Sequence, residues 1–134
     1  MMKSRLLFAA AALAFAAAGQ AQSNVQTLPS GVRVETITAG KGMNPTASST
    51  VTVNYRGTLT NGTEFDSSYK RNEPISFSLS QVIPCWTEGI QKMAVGGKAV
   101  LYCPAKTAYG SRGAGGVIPP NADLKFEVEL IGVR

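Results

Sequence analysis

Apolar and polar side chains alternate through the segment 50–60, and this pattern restricts the fold more than any other feature of the chain. The apolar positions are Val51, Val53 and Tyr55. A period of two places successive side chains on opposite faces of a strand, so the segment is predicted to be a half-buried strand. Asn61 and Gly62 follow it and predict a tight type I′ turn, in which both central residues need positive φ. The segment 63–68 is then expected to return as the antiparallel partner.

The alternation typical of strands recurs in four other segments, and the spacing of apolar residues changes to a helical period in one segment only. Segments 32–40, 75–80, 99–105 and 122–133 are predicted strands. In 82–93, Trp86, Ile90 and Met93 are spaced as one helical stripe, and Pro84 suits the first turn of a helix. With no alternation of strands and helices, the sequence predicts an α+β fold in which an antiparallel sheet of about five strands packs on one short helix.

The first residues read as an export signal. Lys3 and Arg5 precede an unbroken apolar run, and the small residues Gly19 and Ala21 end it. This is the pattern of a secretory signal peptide cut after Ala21; the run is short for a membrane anchor, which is the alternative reading. We therefore expect a signal peptide at 1–21, a polar tail at 22–30 and one domain at 31–134. The mature protein would be exported, either to the periplasm or out of the cell.

Composition excludes several kinds of chemistry. The chain has no histidine, which removes the usual general base and the commonest metal ligand. Loss of Lys3 and Arg5 with the signal lowers the formal net charge from +5 to +3, and the remaining basic residues are scattered, so nucleic-acid binding is not expected. Cys85 and Cys103 are too far apart for a redox motif; in an exported protein they could form a disulfide, or they could be two buried thiols.

The glycine-rich loop at 110–116 does not have the pattern of a phosphate-binding loop. It runs into the sequence VIPP and does not open a helix, so nucleotide binding is not expected. Glu64 and Asp66 share one face of a strand, but nothing in the sequence supports an acid–base pair there. Aromatic residues occur in nearly every element and, taken alone, indicate core packing.

Several blocks, in order, resemble the domain of the FKBP-type peptidyl-prolyl cis-trans isomerases. They are VTVNYRGTL, NGTEFDSS, RNEP, QVIPCWTEGIQKMAVGGKA and the segment from AYG to VIPPNADLKFEVELI. The resemblance covers about residues 30 to 133 and is to the small exported bacterial members. It implies a twisted antiparallel sheet wrapped around a short helix, with a pocket between them that isomerises peptide bonds preceding proline.

The resemblance also implies partners. These are proline-containing peptides or unfolded exported proteins, together with the macrolide inhibitors of the family, and no cofactor. The chain is expected to be a monomer, because the dimerisation domain of some exported members is missing from this sequence.

By matching position, the resemblance assigns site residues. The expected catalytic residues are Tyr55, Phe65, Asp66, Trp86, Tyr109 and Phe126. The expected substrate-binding residues are Arg71, Ile75, Phe77, Val82, Ile83, Val117 and Ile118. Trp86 would form the pocket floor and Asp66 and Arg71 its polar rim, while the backbone of Ile83 and the hydroxyl of Tyr109 would hold the bound chain.

Two departures from the family pattern concern the pocket rim. Ile75 stands where the family often has an aromatic residue, and Ala114 and Gly115 stand where it often has a bulky residue or proline. Both would open one side of the pocket and alter substrate preference and macrolide affinity. A peptide-binding module without useful turnover, or a chaperone or surface factor, are the alternative functions.

Overall fold

The computed structural model describes residues 24–134, so the predicted signal peptide lies outside the described residues. Within 24–134 there are seven strands and one α-helix, α1 (Pro84–Ile90). The strands are β1 (Val25–Thr27), β2 (Arg33–Thr38), β3 (Thr50–Leu59), β4 (Glu64–Ser67), β5 (Ile75–Ser78), β6 (Lys98–Cys103) and β7 (Leu124–Val133). Across this described range, no helix has both the length and the apolar character that crossing a membrane requires.

All of these strands belong to one antiparallel sheet. Their order is β1-β2-β6-β7-β3-β4. Both β4 and β5 pair with the edge of β3 that faces away from β7: β5 pairs with its first half and β4 with its second half. The ten-residue strands β3 and β7 pair along their lengths and form the centre of the sheet. The predicted α+β architecture is confirmed, while the expected number of about five strands is too low.

The additional strand β1 lies in the segment 22–30, for which a polar tail was expected. Val25–Thr27 pairs with Arg33–Glu35 through backbone hydrogen bonds, and all three of its side chains are exposed. An edge strand that buries no side chain shows no alternation, so the period that reveals the other strands is missing here. The next residue, Leu28, enters the core with 8% of its surface exposed.

The hairpin between β3 and β4 is in the expected place but has a different turn. Gly62 has a φ of +91°, whereas Asn61 does not have positive φ. Gly62 N–H donates to the carbonyl of Leu59 at 2.9 Å, and Leu59 N–H donates to the carbonyl of Thr63 at 2.8 Å. This is a three-residue loop of a type I turn followed by one left-handed residue, and not the predicted type I′ turn.

The helix packs on the inner face of the sheet. It is shorter than the predicted stripe, because Met93 lies beyond its end, yet Trp86, Ile90 and Met93 are all buried. A disulfide between Cys85 and Cys103 joins the first turn of α1 to the end of β6, with a Cα–Cα distance of 5.6 Å. The helix is therefore fixed to the sheet by packing and by a covalent link.

Candidate functional site

A cavity of about 470 Å³ opens between α1 and the inner face of the sheet. Strands β3, β4, β5 and β7, the first turn of α1 with the residues before it, and the segment after β6 all contribute to its wall. Ten side chains line it: Tyr55, Phe65, Asp66, Phe77, Gln81, Val82, Ile83, Trp86, Tyr109 and Phe126. Most of these residues are aromatic or aliphatic, so the cavity is suited to an apolar ligand with a few polar groups.

Trp86 lies at the centre of the aromatic part of the wall. Its ring meets Tyr55, Phe77 and Phe126 edge-to-face, with centroid distances of 5.1, 5.2 and 5.3 Å. This arrangement places positive ring edges against negative ring faces and favours one orientation of the indole. The indole Nε1–H is buried and has no hydrogen-bond partner among residues 24–134. The four rings form a rigid apolar surface at one end of the cavity.

The polar part of the wall is a network around Asp66. The Tyr55 hydroxyl donates to Asp66 Oδ2, and Arg71 Nη1 and the Ser67 N–H each donate to Oδ1 at 2.9 Å. Burial raises the pKa of Asp66, but the hydrogen bonds from Tyr55, Arg71 and Ser67 outweigh it and leave that pKa below its ordinary value. Burial, and then the bond to Asp66, raise the pKa of Tyr55 above its ordinary value. Near neutral pH, Asp66 is a carboxylate and Tyr55 a phenol.

This network predicts a specific acid sensitivity. Because the folded-state pKa of Asp66 lies below its ordinary value of 3.8, its contribution to stability is present above that pH and is lost as pH falls through the lower folded-state pKa. We expect the stability difference between the wild type and Asp66→Asn to shrink progressively as pH falls below 3.8, as measured by urea unfolding at each pH. A difference that stayed constant down to the lowest pH would show that the carboxylate charge does not support the fold.

Nine of the thirteen expected site residues line the cavity, and four do not. Arg71 lies beside it and contacts Asp66, while Ile75 in β5 packs against the core. Val117 is 57% exposed and Ile118 is 5% exposed, and neither is among the ten side chains that line the cavity. The expectation that the glycine-rich loop returns Ile118 to this wall stays a prediction.

One lining residue was missed by the sequence reasoning. Gln81 ends the short 3₁₀ turn Leu79–Gln81 just before Val82, and its side chain borders the cavity. A single polar residue in a turn carries no periodic signal, so only the three-dimensional arrangement reveals it.

Gly57, near the end of β3, is a second residue that the sequence reasoning missed. A β-carbon at this position would lie 2.6 Å from the ring of Phe65 and 2.9 Å from that of Phe126. These two rings meet edge-to-face at 5.6 Å directly over the glycine. Glycine within a strand often marks such a close approach, and this was the available signal.

The glycine-rich loop folds back on itself. Gly110, Gly113, Gly115 and Gly116 all have positive φ, and Ala114 and Ile118 form an isolated antiparallel bridge. The Asn121 N–H donates to the carbonyl of Gly110 at 2.8 Å and closes the base of the loop. This closed base lies next to Tyr109, whose side chain is 40% exposed at the cavity. The loop thus adjoins the cavity at Tyr109.

Gly113 and Gly115 make a matched pair for testing this loop. A β-carbon at Gly113 would lie 2.3 Å from the backbone oxygen of Ile118, whereas at Gly115 it would meet nothing within 4 Å. Both have positive φ, so Gly115→Val carries the backbone strain without the clash. We expect Gly113→Val to be destabilised by at least about 2 kcal/mol more than Gly115→Val in urea unfolding. Equal losses would mean that the Ala114–Ile118 bridge is not maintained in solution.

Comparisons with known proteins match this geometry. The family model for the FKBP-type peptidyl-prolyl cis-trans isomerase matches residues 41–131. The chain is 50% identical over 113 residues to the FKBP-type peptidyl-prolyl cis-trans isomerase FkpA of Escherichia coli (strain K12), covering 84% of this chain and 42% of that protein. It is 56% identical over 103 residues to FK506-binding protein 1 of Dictyostelium discoideum, covering 75% of this chain and 96% of that protein.

Solved structures agree in fold. The crystal structure of FkpA from Escherichia coli superimposes with a TM-score of 0.79 at 39% sequence identity, covering 98% of this chain and 74% of that one. In sequence, the chain spans less than half the length of the FkpA relative it matches. Since one family model covers more than half of the chain and a relative of similar length is more than half identical, the chain belongs to the family of FKBP-type peptidyl-prolyl cis-trans isomerases.

Proposed function

We propose that this protein catalyses the cis–trans rotation of peptide bonds preceding proline in the cavity floored by Trp86. The observation that carries the proposal is the cavity itself. It presents a rigid apolar surface of four aromatic rings, and its one carboxylate and the hydroxyl beside it are already joined to each other. Rotation of an amide breaks no bond and moves no proton, so a site of this kind has what the reaction requires.

The energetics fit such a site. Amide resonance sets a barrier of about 18–20 kcal/mol, and the uncatalysed reaction takes tens to hundreds of seconds. A turnover of about 10–1,000 per second requires about 4–7 kcal/mol of barrier lowering. The twisted amide has a less polarised carbonyl than the planar one, so an apolar cavity penalises it less. The cavity therefore favours the transition state over both planar ground states.

Two hydrogen-bond donors are placed to hold the substrate. Neither the N–H of Ile83 nor the hydroxyl of Tyr109 has a hydrogen-bond partner within residues 24–134, and both residues border the cavity. Ile83 immediately precedes α1, where a backbone N–H has no helical partner. In the proposed complex the proline ring rests on Trp86, and the carbonyls of the bound chain accept bonds from Ile83 and Tyr109. Asp66 and Arg71 keep Tyr55 in place at the rim.

The proposal is tested by exchange spectroscopy on a short neutral X-Pro peptide with catalytic amounts of residues 22–134. Acceleration well above the spontaneous exchange rate is expected. Its dependence on pH should be flat between about pH 5 and pH 8, because no proton transfer is involved. Peptide binding by folded protein without acceleration would instead establish a peptide-binding module.

We further propose that the protein works on unfolded exported proteins outside the cytoplasm. The disulfide supports this, because such bonds persist in oxidising compartments. Expression of the full chain in a Gram-negative host, followed by osmotic shock and N-terminal sequencing, should give a released protein that begins at Gln22. Retention of the full-length chain in the cytoplasm would contradict export.

Macrolides of the FK506 type are proposed to bind the same cavity. The name of one relative, FK506-binding protein 1 of Dictyostelium discoideum, states this ligand. Ala114 and Gly115 stand where the family often has a bulky residue or proline, so we expect inhibition that competes with the peptide but is weak. Inhibition that does not compete with the peptide would place the macrolide elsewhere.

A further inference from the structure

The outer face of the sheet carries a second cleft, whose volume of about 550 Å³ exceeds that of the cavity beside Trp86. The two have no lining residue in common. Side chains alternate across the sheet, so Arg56 and Lys125 point away from the cavity that their neighbours Tyr55 and Phe126 line. We call this feature the Tyr102 cleft, after the ring on its wall. It is also lined by Arg33, Thr58 and Asp123.

Two of the four charged residues that line the Tyr102 cleft, Arg33 and Lys125, form a cross-strand row with Tyr102. Arg33 on β2 is registered with Tyr102 on β6, and Tyr102 with Lys125 on β7. The Arg33 guanidinium carbon lies 4.5 Å from the centroid of the Tyr102 ring, and Lys125 Nζ lies 6.0 Å from it. The aromatic ring thus stands between two cations and attracts both.

These two cations have no acidic partner in the described part of the chain. The four ion pairs of residues 24–134 involve Arg56, Lys70 and Arg71, but neither Arg33 nor Lys125. Glu35, two residues after Arg33 on β2, accepts a hydrogen bond from the Tyr102 hydroxyl at 2.9 Å. Asp123 accepts the N–H of Ala105 at 2.9 Å. Arg33 and Lys125 therefore remain available to an anionic ligand.

The spacing of the row suggests the ligand. Two strand separations place the backbones of Arg33 and Lys125 about 10 Å apart. A polyproline II segment advances about 3.1 Å per residue with three residues per turn, so residues three apart lie on one side and about 9 Å from each other. Such segments dock on aromatic side chains. We propose that the Tyr102 cleft binds acidic, proline-containing polypeptide segments in which two carboxylates are three residues apart, one meeting Arg33 and the other Lys125.

This inference is independent of catalysis, and binding measurements test it. The probes are three labelled peptides that share neutral flanks and contain Glu-Pro-Pro-Glu, Gln-Pro-Pro-Gln or Glu-Glu-Pro-Pro. Fluorescence anisotropy with wild-type protein should show tightest binding for Glu-Pro-Pro-Glu, weakening as salt screens the exposed charges. The double variant Arg33→Gln/Lys125→Gln should bind this peptide about tenfold more weakly, as expected from two exposed charge contacts.

The control variant is Lys98→Gln/Lys106→Gln, which removes the same charge at two exposed positions outside the cleft. It should bind Glu-Pro-Pro-Glu as the wild type does, and both double variants should isomerise the neutral X-Pro peptide normally. Equal weakening by the two double variants, or equal binding of the three peptides, would overturn the proposal. An RNA oligonucleotide that displaced the acidic peptide at lower concentration would also overturn it, in favour of a nucleic-acid site. A protein that bound acidic peptide but lacked isomerase activity would leave this inference standing and refute only the proposed function.

Discussion

Replacing Trp86 with alanine is expected to lower the free energy of unfolding by about 3–5 kcal/mol, as measured by urea denaturation. The indole is 4% exposed, and three aromatic rings contact it at centroid distances of 5.1–5.3 Å. Its removal leaves a void that these rings cannot fill without losing their edge-to-face contacts. The same change removes the surface on which the proline ring rests, so kcat/KM should fall about 30- to 100-fold, the equivalent of one buried apolar contact.

Trp86→Phe separates the two effects. It keeps an aromatic ring in the cluster and should recover most of the stability, while the smaller ring still reduces kcat/KM. Measuring both quantities at a temperature where both variants are folded excludes unfolding as the cause of lost activity. If Trp86→Ala were as active as the wild type while folded, Trp86 would not be the floor of the catalytic cavity.

Loss of the disulfide is the second change with a large expected effect. The double variant Cys85→Ala/Cys103→Ala should lose about 3 kcal/mol of stability, the value that the chain-entropy model gives for a loop of this size. The two cysteines are 18 residues apart in sequence and buried. The bond also holds the first turn of α1, which carries Trp86, against the end of β6. We therefore expect a higher KM for the neutral X-Pro peptide.

Reductant provides the control for this prediction. Unfolding of the wild type in reductant should approach that of the double variant, whereas the variant itself should not respond to reductant. A reduced wild type that kept its full stability would mean that the packing of α1, and not the covalent link, holds the helix in place.

The sequence predicts those elements of the fold that have one buried face and one exposed face, because their apolar residues recur with a regular period. β3 and β7 each bury every second residue at the sheet centre, so their alternation is strong. The stripe of Trp86 and Ile90 identifies α1 for the same reason. β1 was not predicted, because its side chains are all exposed and its pairing uses backbone groups only.

The candidate site is assigned by the family resemblance, and its residues on these regular elements are among those that line the cavity. Tyr55, Trp86 and Phe126 lie on β3, α1 and β7, and all three line the cavity. Val117 and Ile118 follow a loop of four positive-φ glycines, and no period specifies which way such a loop turns. Ile118 is buried in the core and forms a bridge with Ala114, and neither feature has a periodic signal in the sequence.

The most direct test of the account is the rate of cis–trans exchange of a neutral X-Pro peptide with the wild type, Asp66→Ala and Trp86→Ala, beside Tyr102→Ala as the control. Tyr102 is an aromatic residue on the opposite face of the same sheet. We predict clear catalysis by the wild type and by Tyr102→Ala, and sharply reduced catalysis by folded Asp66→Ala and Trp86→Ala. No acceleration by folded wild-type protein, or an equal loss in Tyr102→Ala, would contradict catalysis in the cavity between the helix and the sheet.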